Sequence, residues 1–472
     1  SGAFHNERPL SHGKQEYQEY PELFPLTKPI VKRAAFVQAS GEIKYTLDMT
    51  LPVGGLHGVM VKSGRPHAKF SFTKNVPGLS ALKELLAKQF PGFKDLITCE
   101  DVPEGGQRYI GLNDDDPIFS DKIVTSVGAP IGMVLAESIE TARYASQFIE
   151  KECIQYEDLP AIITIEEAIK KTDPMPMVRT AKNEDEDIQQ RLPTITRDGS
   201  NMEWLENPKN PMPGTEVVNG TFRTSSQAHF YLESMCALAV PGPYDQTTVY
   251  CSTQNPNGTQ AAIARALGIK NNQVSIVIEQ VGGGFGGKQH RANITGAQAA
   301  VAARKAKKGV RLMYERSTDM QAVGKRHPYS GEYHVAYTRD GIIKGMRIDL
   351  NSDAGDTYDC TFAVMDSSLL NADQAYMIET LQANGKAYRT NKASNTAFRS
   401  FGVVQAWAIA ENAIEHVAWK LTKDLGRKVS AEEIRYKNMY RNGTKDSWDM
   451  THYGQELDFC NIRDIWDELY KS

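Results

Sequence analysis

The sequence predicts an α+β fold, with a small mixed domain followed by a larger one. Three observations carry that prediction. In the first third, short runs rich in β-branched and apolar residues are interleaved with two stretches that open on helix caps. In the second half, a strand at 274–281 runs into a glycine-rich turn, a helix and a further strand. Beyond it, a two-strand hairpin precedes a long, largely apolar helix at 403–425.

Residues 1–30 are polar, rich in Pro, Glu and Tyr, and without periodicity, so they read as a linker or arm. A mixed domain is expected over 31–175, with strands at 41–46, 56–62, 123–127 and 131–135. Ser138 is placed to cap a helix to about 151, and Thr164 with Glu167 forms a T-x-x-E capping box for a helix to about 171. Residues 176–212 are broken by prolines and carry the acidic run Glu184, Asp185, Glu186, Asp187. They read as a solvated connector, with a docking strip for a basic surface as the alternative.

The larger domain is expected over 213–472. A strand at 247–252 is followed by a helix at 256–267 that Gly268 can close in the left-handed conformation. The strand at 274–281, the turn at 282–287, a helix over 292–305 and a strand at 309–315 come next. Strands at 332–338 and 342–351 join through Arg339, Asp340 and Gly341 as a hairpin. After the helix at 403–425, Ser430 and Glu433 cap another, and a short amphipathic segment lies near residue 472.

The 472 residues include 40% hydrophobic and 24% charged residues, within the range of globular proteins, and the formal net charge is -4. That balance points to neither nucleic acid nor a membrane as partner. No run approaches the length of an apolar membrane span, and the first residues have no signal-peptide core. Six scattered cysteines without a CxxC pair argue against an iron–sulfur or structural zinc site and fit reduced thiols of a cytoplasmic protein. The histidines show no HExxH spacing and there is no GxSxG elbow, so nucleophilic hydrolase chemistry has no support.

The glycine-rich turn is the principal cofactor candidate. Backbone without side chains, between a strand end and a helix start, can approach an anion closely. Gly282, Gly284 and Gly287 fit GxGxxG, so a dinucleotide is one reading, although Phe285 would sit where a pyrophosphate needs small residues. A packing turn is the other. In the stretch 224–234, Gln227 offers an amide to a bound polar group, while His229 reads as a satisfied core histidine. In 394–402, Arg399 between two phenylalanines suits a planar or anionic ligand, and Phe401 could stack on a ring. The alternative there is an aromatic cluster with Arg399 bonded to carbonyls.

Taken together, VGGGFGGKQHR (281–291), SSQAHFYLE (225–233), STQNPNGTQ (252–260), NTAFRSFG (395–402) and YEDLPAIITIEEAI (156–169) resemble the xanthine dehydrogenase and aldehyde oxidase family of molybdenum hydroxylases. VQASGEIKY (37–45) and FSDKIVTSVGAPIG (119–132) extend the match, in family order, from about residue 31 to the end. The resemblance implies a hammerhead α/β domain followed by the first molybdopterin-binding α+β domain. It implies molybdopterin with molybdenum as cofactor, held by Gln227, Gly283, Gly284, Phe285 and Arg399. Gln227 would hydrogen-bond the molybdenum centre. The glycine loop would approach through its backbone amides, and Arg399 likewise from a facing loop. Gln289, Ser367 and Phe401 would face the substrate.

The family oxidises a carbon beside a ring nitrogen, or an aldehyde carbon, and passes electrons through iron–sulfur clusters to a flavin. The resemblance implies departures at Gln289 and Ser367, where xanthine-specific members carry Glu and Arg, and at Ser400, which stands in place of a glycine. Xanthine is therefore not the expected substrate. The family's general-base glutamate belongs to a second molybdopterin domain beyond the stretch matched here, so no catalytic residue is assigned. The expectation is part of a molybdenum-dependent hydroxylase acting on an aldehyde or N-heterocycle and inactive as this chain alone. Its expected partners are the remaining molybdopterin domain and iron–sulfur and flavin domains or subunits, with a homodimer as a candidate assembly. A non-catalytic scaffold derived from the family is the alternative, and a nucleotide-binding dehydrogenase the minor one.

Overall fold

Seven strands build one mixed sheet in the order Val274–Val277, Thr247–Cys251, Cys236–Pro241, Val310–Met313, Leu56–Lys62, Pro130–Ala136 and Phe93–Ile97. The computed structural model describes residues 19–175, 194–197, 202, 212–441 and 449–471. Residues up to Lys44 form a unit of their own, with a short turn of helix at Pro21–Leu23 and a helix at Ala35–Ala39. The sheet belongs to the second unit, which begins at Tyr45.

Three strands of the sheet come from the first third of the chain and four from residues 236–313. The junction is the parallel pairing of Leu56–Lys62 with Val310–Met313, in register Leu56↔Val310 and Gly58↔Leu312. The interior strand Cys236–Pro241 has no polar alternation because both of its faces are covered. One cover is the helix Arg291–Ala306, whose run of small side chains is buried almost from end to end. Its Gly296 faces Thr259 and Ile263 of the helix Pro256–Leu267, where an added Cβ would stand 3.1 Å from Thr259, so the two helices lie close. Asn255 caps that second helix by accepting from the Gly258 N–H, and Gly268 closes it at φ 66°.

A second sheet has five strands in the order Glu216–Thr224, Tyr329–Tyr337, Ile343–Gly355, Thr380–Arg389 and Thr194–Arg197. Only the Ile343–Gly355/Thr380–Arg389 pair is parallel, and the helix Thr361–Leu370 lies in its connection. The helix Val403–Leu425 packs its apolar stripe on the first two strands, with Ile409 over Gly331. A third sheet joins Ile123–Val124, Ala68–Ser71 and Gln155–Asp158. Near it the helices Leu79–Gln89 and Ile139–Phe148 bury Leu82, Leu86, Ala142 and Ala145 in one core. The fold is thus α+β.

Several expected elements differ. Residues 41–46 form no strand; the chain there makes turns and the short 3-10 helix Thr46–Asp48. The strand expected to 281 ends at Val277, because the glycines that follow leave the sheet edge for another set of contacts. Of 176–212, the segment Thr194–Arg197 is a strand, and the acidic run 184–187 lies outside the described residues. The six cysteines are free thiols, five of them buried. Among the described residues, no helix is long and apolar enough to cross a membrane.

Candidate functional site

Loops that are distant in sequence meet at Arg326. Its Nε donates to Gln227 Oε1 (2.9 Å), its Nη2 to the Arg399 carbonyl (2.8 Å), and its N–H to the Gln227 carbonyl (3.0 Å). The guanidinium lies 4.1 Å from the Phe398 ring centroid. Thr396 and Asn395 fasten the neighbouring Lys325 to the same loop, at 3.0 and 3.3 Å. The Arg399 N–H in turn donates to the Phe285 carbonyl (2.9 Å), which brings in the glycine loop. Gln227, Phe285 and Arg399 therefore share one surface, and all three side chains are exposed.

Close packing explains the glycines. A Cβ on Gly287 would stand 2.8 Å from the His229 ring, and one on Gly286 2.7 Å from the Ala397 carbonyl. A Cβ on Gly284 would strike the Gln254 side chain. Gly283 and Gly286 have φ of 94° and 96°, and Phe285 itself stands at φ 51°. Gln254 Oε1 accepts from the Gly286 and Lys288 N–H groups at 2.9 and 3.3 Å. No described residue accepts from the N–H groups of Gly283, Gly284 and Phe285. Three adjacent free donors on a sharply curved backbone are groups of the kind that can bind an anion.

Beneath the loop lies a buried ion pair. Lys288, fully buried, donates from Nζ to the Glu233 carbonyl (2.6 Å), to Ser252 Oγ (2.7 Å) and to Glu233 Oε2 (3.3 Å), beneath the Tyr231 ring. Glu233 Oε2 also accepts from the Gly282 N–H (2.8 Å). Burial pushes the Lys288 ammonium down from its usual range, and the Glu233 carboxylate opposes that shift.

The remaining expected residues fall as follows. His229 is a core histidine: Nε2 lies 2.8 Å from the Ala397 carbonyl, and the ring stacks on Phe398 at 4.3 Å. Burial pushes it down to about 4, so it is neutral near pH 7. Phe401 is half-buried and packs on the core of the second sheet. Ser367 lies half-buried on the helix Thr361–Leu370, and its neighbour Ser368 donates to the Gly402 carbonyl (2.8 Å), so this helix adjoins the Phe401 loop. Gln289 is tied to the glycine loop by its N–H to the Gly286 carbonyl (3.1 Å), and no described residue bonds its side-chain amide. Nothing in the geometry joins Gln289 directly to Ser367. Ser400 takes a left-handed φ of 68°, which accounts for a glycine being accommodated there as readily.

A dinucleotide site needs a strand, a tight glycine turn and a helix in immediate succession. Here the strand is at the sheet edge and ends at Val277, the helix starts at Arg291, and Gly284 and Gly287 are filled against by Gln254 and His229. That reading is overturned.

The family model for the molybdopterin cofactor-binding domain matches residues 203–439, half of the chain. The chain belongs to the xanthine dehydrogenase and aldehyde oxidase family of molybdopterin enzymes. The family's a/b hammerhead domain matches residues 40–160. Xanthine dehydrogenase of Dictyostelium discoideum is 36% identical over 468 residues, which cover 98% of this chain and 31% of that protein. Xanthine dehydrogenase/oxidase of Rattus norvegicus is 35% identical over 463 residues, covering 97% and 31%. The chain thus spans about a third of the length of the curated relatives it matches. Among solved structures, aldehyde oxidoreductase from Desulfovibrio gigas superposes with a TM-score of 0.72 at 25% identity, covering 93% of this chain and 45% of that one. CO dehydrogenase from Oligotropha carboxidovorans shares the fold with a TM-score of 0.76 at 19% identity, covering 94% and 53%.

The residues fit a polyanionic pterin cofactor. Arg326 Nη1 is buried and without a hydrogen-bond partner, the three loop N–H groups are free, and the Arg399 guanidinium is exposed beside them. Because an arginine can only donate, its bond fixes the Gln227 amide with oxygen inward and leaves both Nε2 hydrogens available. Arg326, Lys288 and Gln254 have no sequence signal of their own. Lys288 is one unremarked letter of the glycine motif, and Arg326 sits in an ordinary basic run before Pro328.

Proposed function

We propose that this chain supplies one wall of a molybdopterin site in an enzyme that hydroxylates an aldehyde or an N-heterocycle. The single observation that carries the reading is the convergence, through Arg326, of the Gln227 amide, the free N–H groups of Gly283, Gly284 and Phe285, and the Arg399 loop. The bound molybdenum centre supplies oxygen insertion and takes up the substrate's electrons.

This chain's residues bind and orient. The loop N–H groups would donate to the cofactor's anionic oxygens. Gln227 donates from Nε2 to the metal's polar ligands. The Arg399 backbone N–H is already given to Phe285, so Arg399 contributes charge through its guanidinium instead. Gln289, Ser367 and Phe401 border the substrate, and the absence of charge on all three favours a neutral substrate over an anionic purine.

Carboxylates that adjoin this wall are already engaged. Glu233 holds Lys288 and the Gly282 N–H, and Asp319 accepts from the Tyr231 hydroxyl (3.2 Å) and the Met235 N–H (2.9 Å). A general base is accordingly expected from a second cofactor domain, with iron–sulfur and flavin domains or subunits as the electron path and a homodimer as a candidate assembly. The chain's own portions in that assembly are a hammerhead domain at 31–175 and a cofactor domain at 213–472, linked through 176–212 and preceded by an arm at 1–30. A cytoplasmic location suits the six free thiols.

The test is molybdenum and pterin content of the full chain, purified with and without a co-expressed second cofactor domain. Stoichiometric molybdenum in the pair, with aldehyde or N-heterocycle oxidation, is expected. A folded pair that retains no molybdenum overturns the reading in favour of a non-catalytic scaffold.

A further inference from the structure

The helix Arg291–Ala306 begins beside a group of side chains that the cofactor wall does not use. His290, Asp359 and Cys360 present a nitrogen, a carboxylate oxygen and a sulfur that all lie within 4.8 Å of one another. Asp359 and Cys360 are 1% and 3% exposed. His290 Nδ1 is buried, has no hydrogen-bond partner, and stands 3.7 Å from Asp359 Oδ1. That separation is too long for a hydrogen bond. It is near the roughly 3.4 Å that separates two ligands on one tetrahedral ion with bonds of about 2.0–2.2 Å.

The surroundings are rich in buried carboxyl groups. Asp115, Asp116, Asp356 and Asp359 cluster around two guanidiniums, Arg291 and Arg389. Arg291 bridges Asp116 and Asp359, the latter at 2.9 Å, and Arg389 holds Asp115 at 2.8 Å. Burial pushes the Asp115 and Asp356 carboxyls up. Asp359 keeps its Oδ2 for Arg291; its Oδ1 accepts from the Cys360 N–H (2.7 Å) and the Thr396 hydroxyl (2.9 Å), and that hydroxyl can rotate away.

We propose that His290 Nδ1, Asp359 Oδ1 and Cys360 Sγ form a site for one divalent ion of the zinc class, made by side chains that the molybdopterin wall does not use. A nitrogen, a sulfur and one carboxylate select a borderline-soft ion over magnesium or calcium. Three protein ligands leave the fourth tetrahedral position to water. Burial holds the metal-free Cys360 thiol protonated. Binding breaks the Sγ–H bond, forms the Sγ–metal bond and releases that proton to solvent, with no electron transfer, so affinity rises with pH.

Cobalt(II) titrated into the full chain, followed by difference absorption, tests the site at any molybdenum loading. A thiolate-to-cobalt charge-transfer band saturating at one ion per chain is expected. Zinc should displace it, and magnesium should not. Cys360→Ser should abolish the band, and His290→Gln should weaken cobalt binding by more than about 10-fold. Absence of the band, or a band that persists in Cys360→Ser through another thiol, overturns the proposal. If Cys360→Ser does not fold, unchanged cobalt affinity in the part-exposed His290→Gln variant overturns it alone.

Discussion

Arg326 Nε donates to Gln227 Oε1 at 2.9 Å, and that bond decides which end of the Gln227 amide faces outward. The same guanidinium holds the Arg399 carbonyl, so one side chain sets the spacing of two loops. Arg326→Lys keeps the charge and loses the planar fork. The expected result is a loss of about 1–3 kcal/mol of stability, read by chemical denaturation, from the hydrogen bonds forfeited. Molybdenum content should fall further than stability does, because the Gln227 amide becomes free to turn over. Full metal retention in a folded Arg326→Lys protein would show that the amide orientation is immaterial.

Lys288→Met removes the cation that Glu233 needs while keeping the volume of the side chain. An uncompensated carboxylate in that position costs about 3–5 kcal/mol. Urea unfolding should report that loss. The double variant Lys288→Met with Glu233→Gln should recover much of it, since both charges of the pair are then gone. A single variant as stable as the parent would show that water reaches Glu233.

Local signals and long-range contacts were unequally legible in the sequence. The helix Pro256–Leu267 coincides with its expected bounds because its stop signal, Gly268, is local and takes a left-handed φ; Val403–Leu425 coincides too, and the structure shows it ending on Gly426 at φ 62°. Ser138, Thr164 and Ser430 cap as expected by accepting from the N–H three residues on. The strand Cys236–Pro241 went unread because a strand buried on both faces shows no alternation. The pairing of Leu56–Lys62 with Val310–Met313 joins the first quarter of the chain to the third and leaves no local trace. At the site, the glycine loop and the Arg399 loop were legible as motifs. Arg326 and the His290, Asp359 and Cys360 group were not, because their partners lie tens of residues away.

Acid should destabilise the protein through its buried histidines. Burial pushes His229 and His327 down to about 4 from the ordinary 6.5. Above pH 6.5 both folded and unfolded chains carry neutral rings, and this contribution is fully present. As pH falls from 6.5 to about 4, the unfolded chain takes up protons that the folded one refuses, and stability is lost. The loss is on the order of 3 kcal/mol per histidine. His229→Gln cannot protonate, so its stability should decline less steeply between pH 7 and pH 4.5. Parallel stability–pH curves for parent and variant would contradict the buried, neutral assignment.

Gly286 is constrained twice. Its φ is 96°, and a Cβ would lie 2.7 Å from the Ala397 carbonyl, which is backbone and cannot swing away. Gly286→Ala should cost about 1–3 kcal/mol. Gly105 offers a control: its φ is 80°, but nothing lies within 4 Å of a Cβ there. Gly105→Ala should cost about 1 kcal/mol from conformation alone. Equal thermal shifts in the two variants would mean that the Gly286–Ala397 approach does not constrain the loop.

Ser400 offers a prediction of the opposite sign. It stands at φ 68° between Arg399 and Phe401, where a side chain is unfavourable by about 1–2 kcal/mol. Two turn bonds hold it there: Phe401 N–H to the Phe398 carbonyl and Val403 N–H to the Ser400 carbonyl, both 2.7 Å. Ser400→Gly removes the strain and adds back part of it as unfolded-chain entropy, about 0.5–1 kcal/mol. A net gain of up to about 1 kcal/mol in unfolding free energy is therefore expected. The exposed serine hydroxyl has no described partner to lose, so the gain should appear undiminished. Because the turn bonds are backbone bonds, Arg399 should keep its N–H on Phe285, and molybdenum content should not change. A variant less stable than the parent would mean that the serine side chain makes a contact beyond this turn.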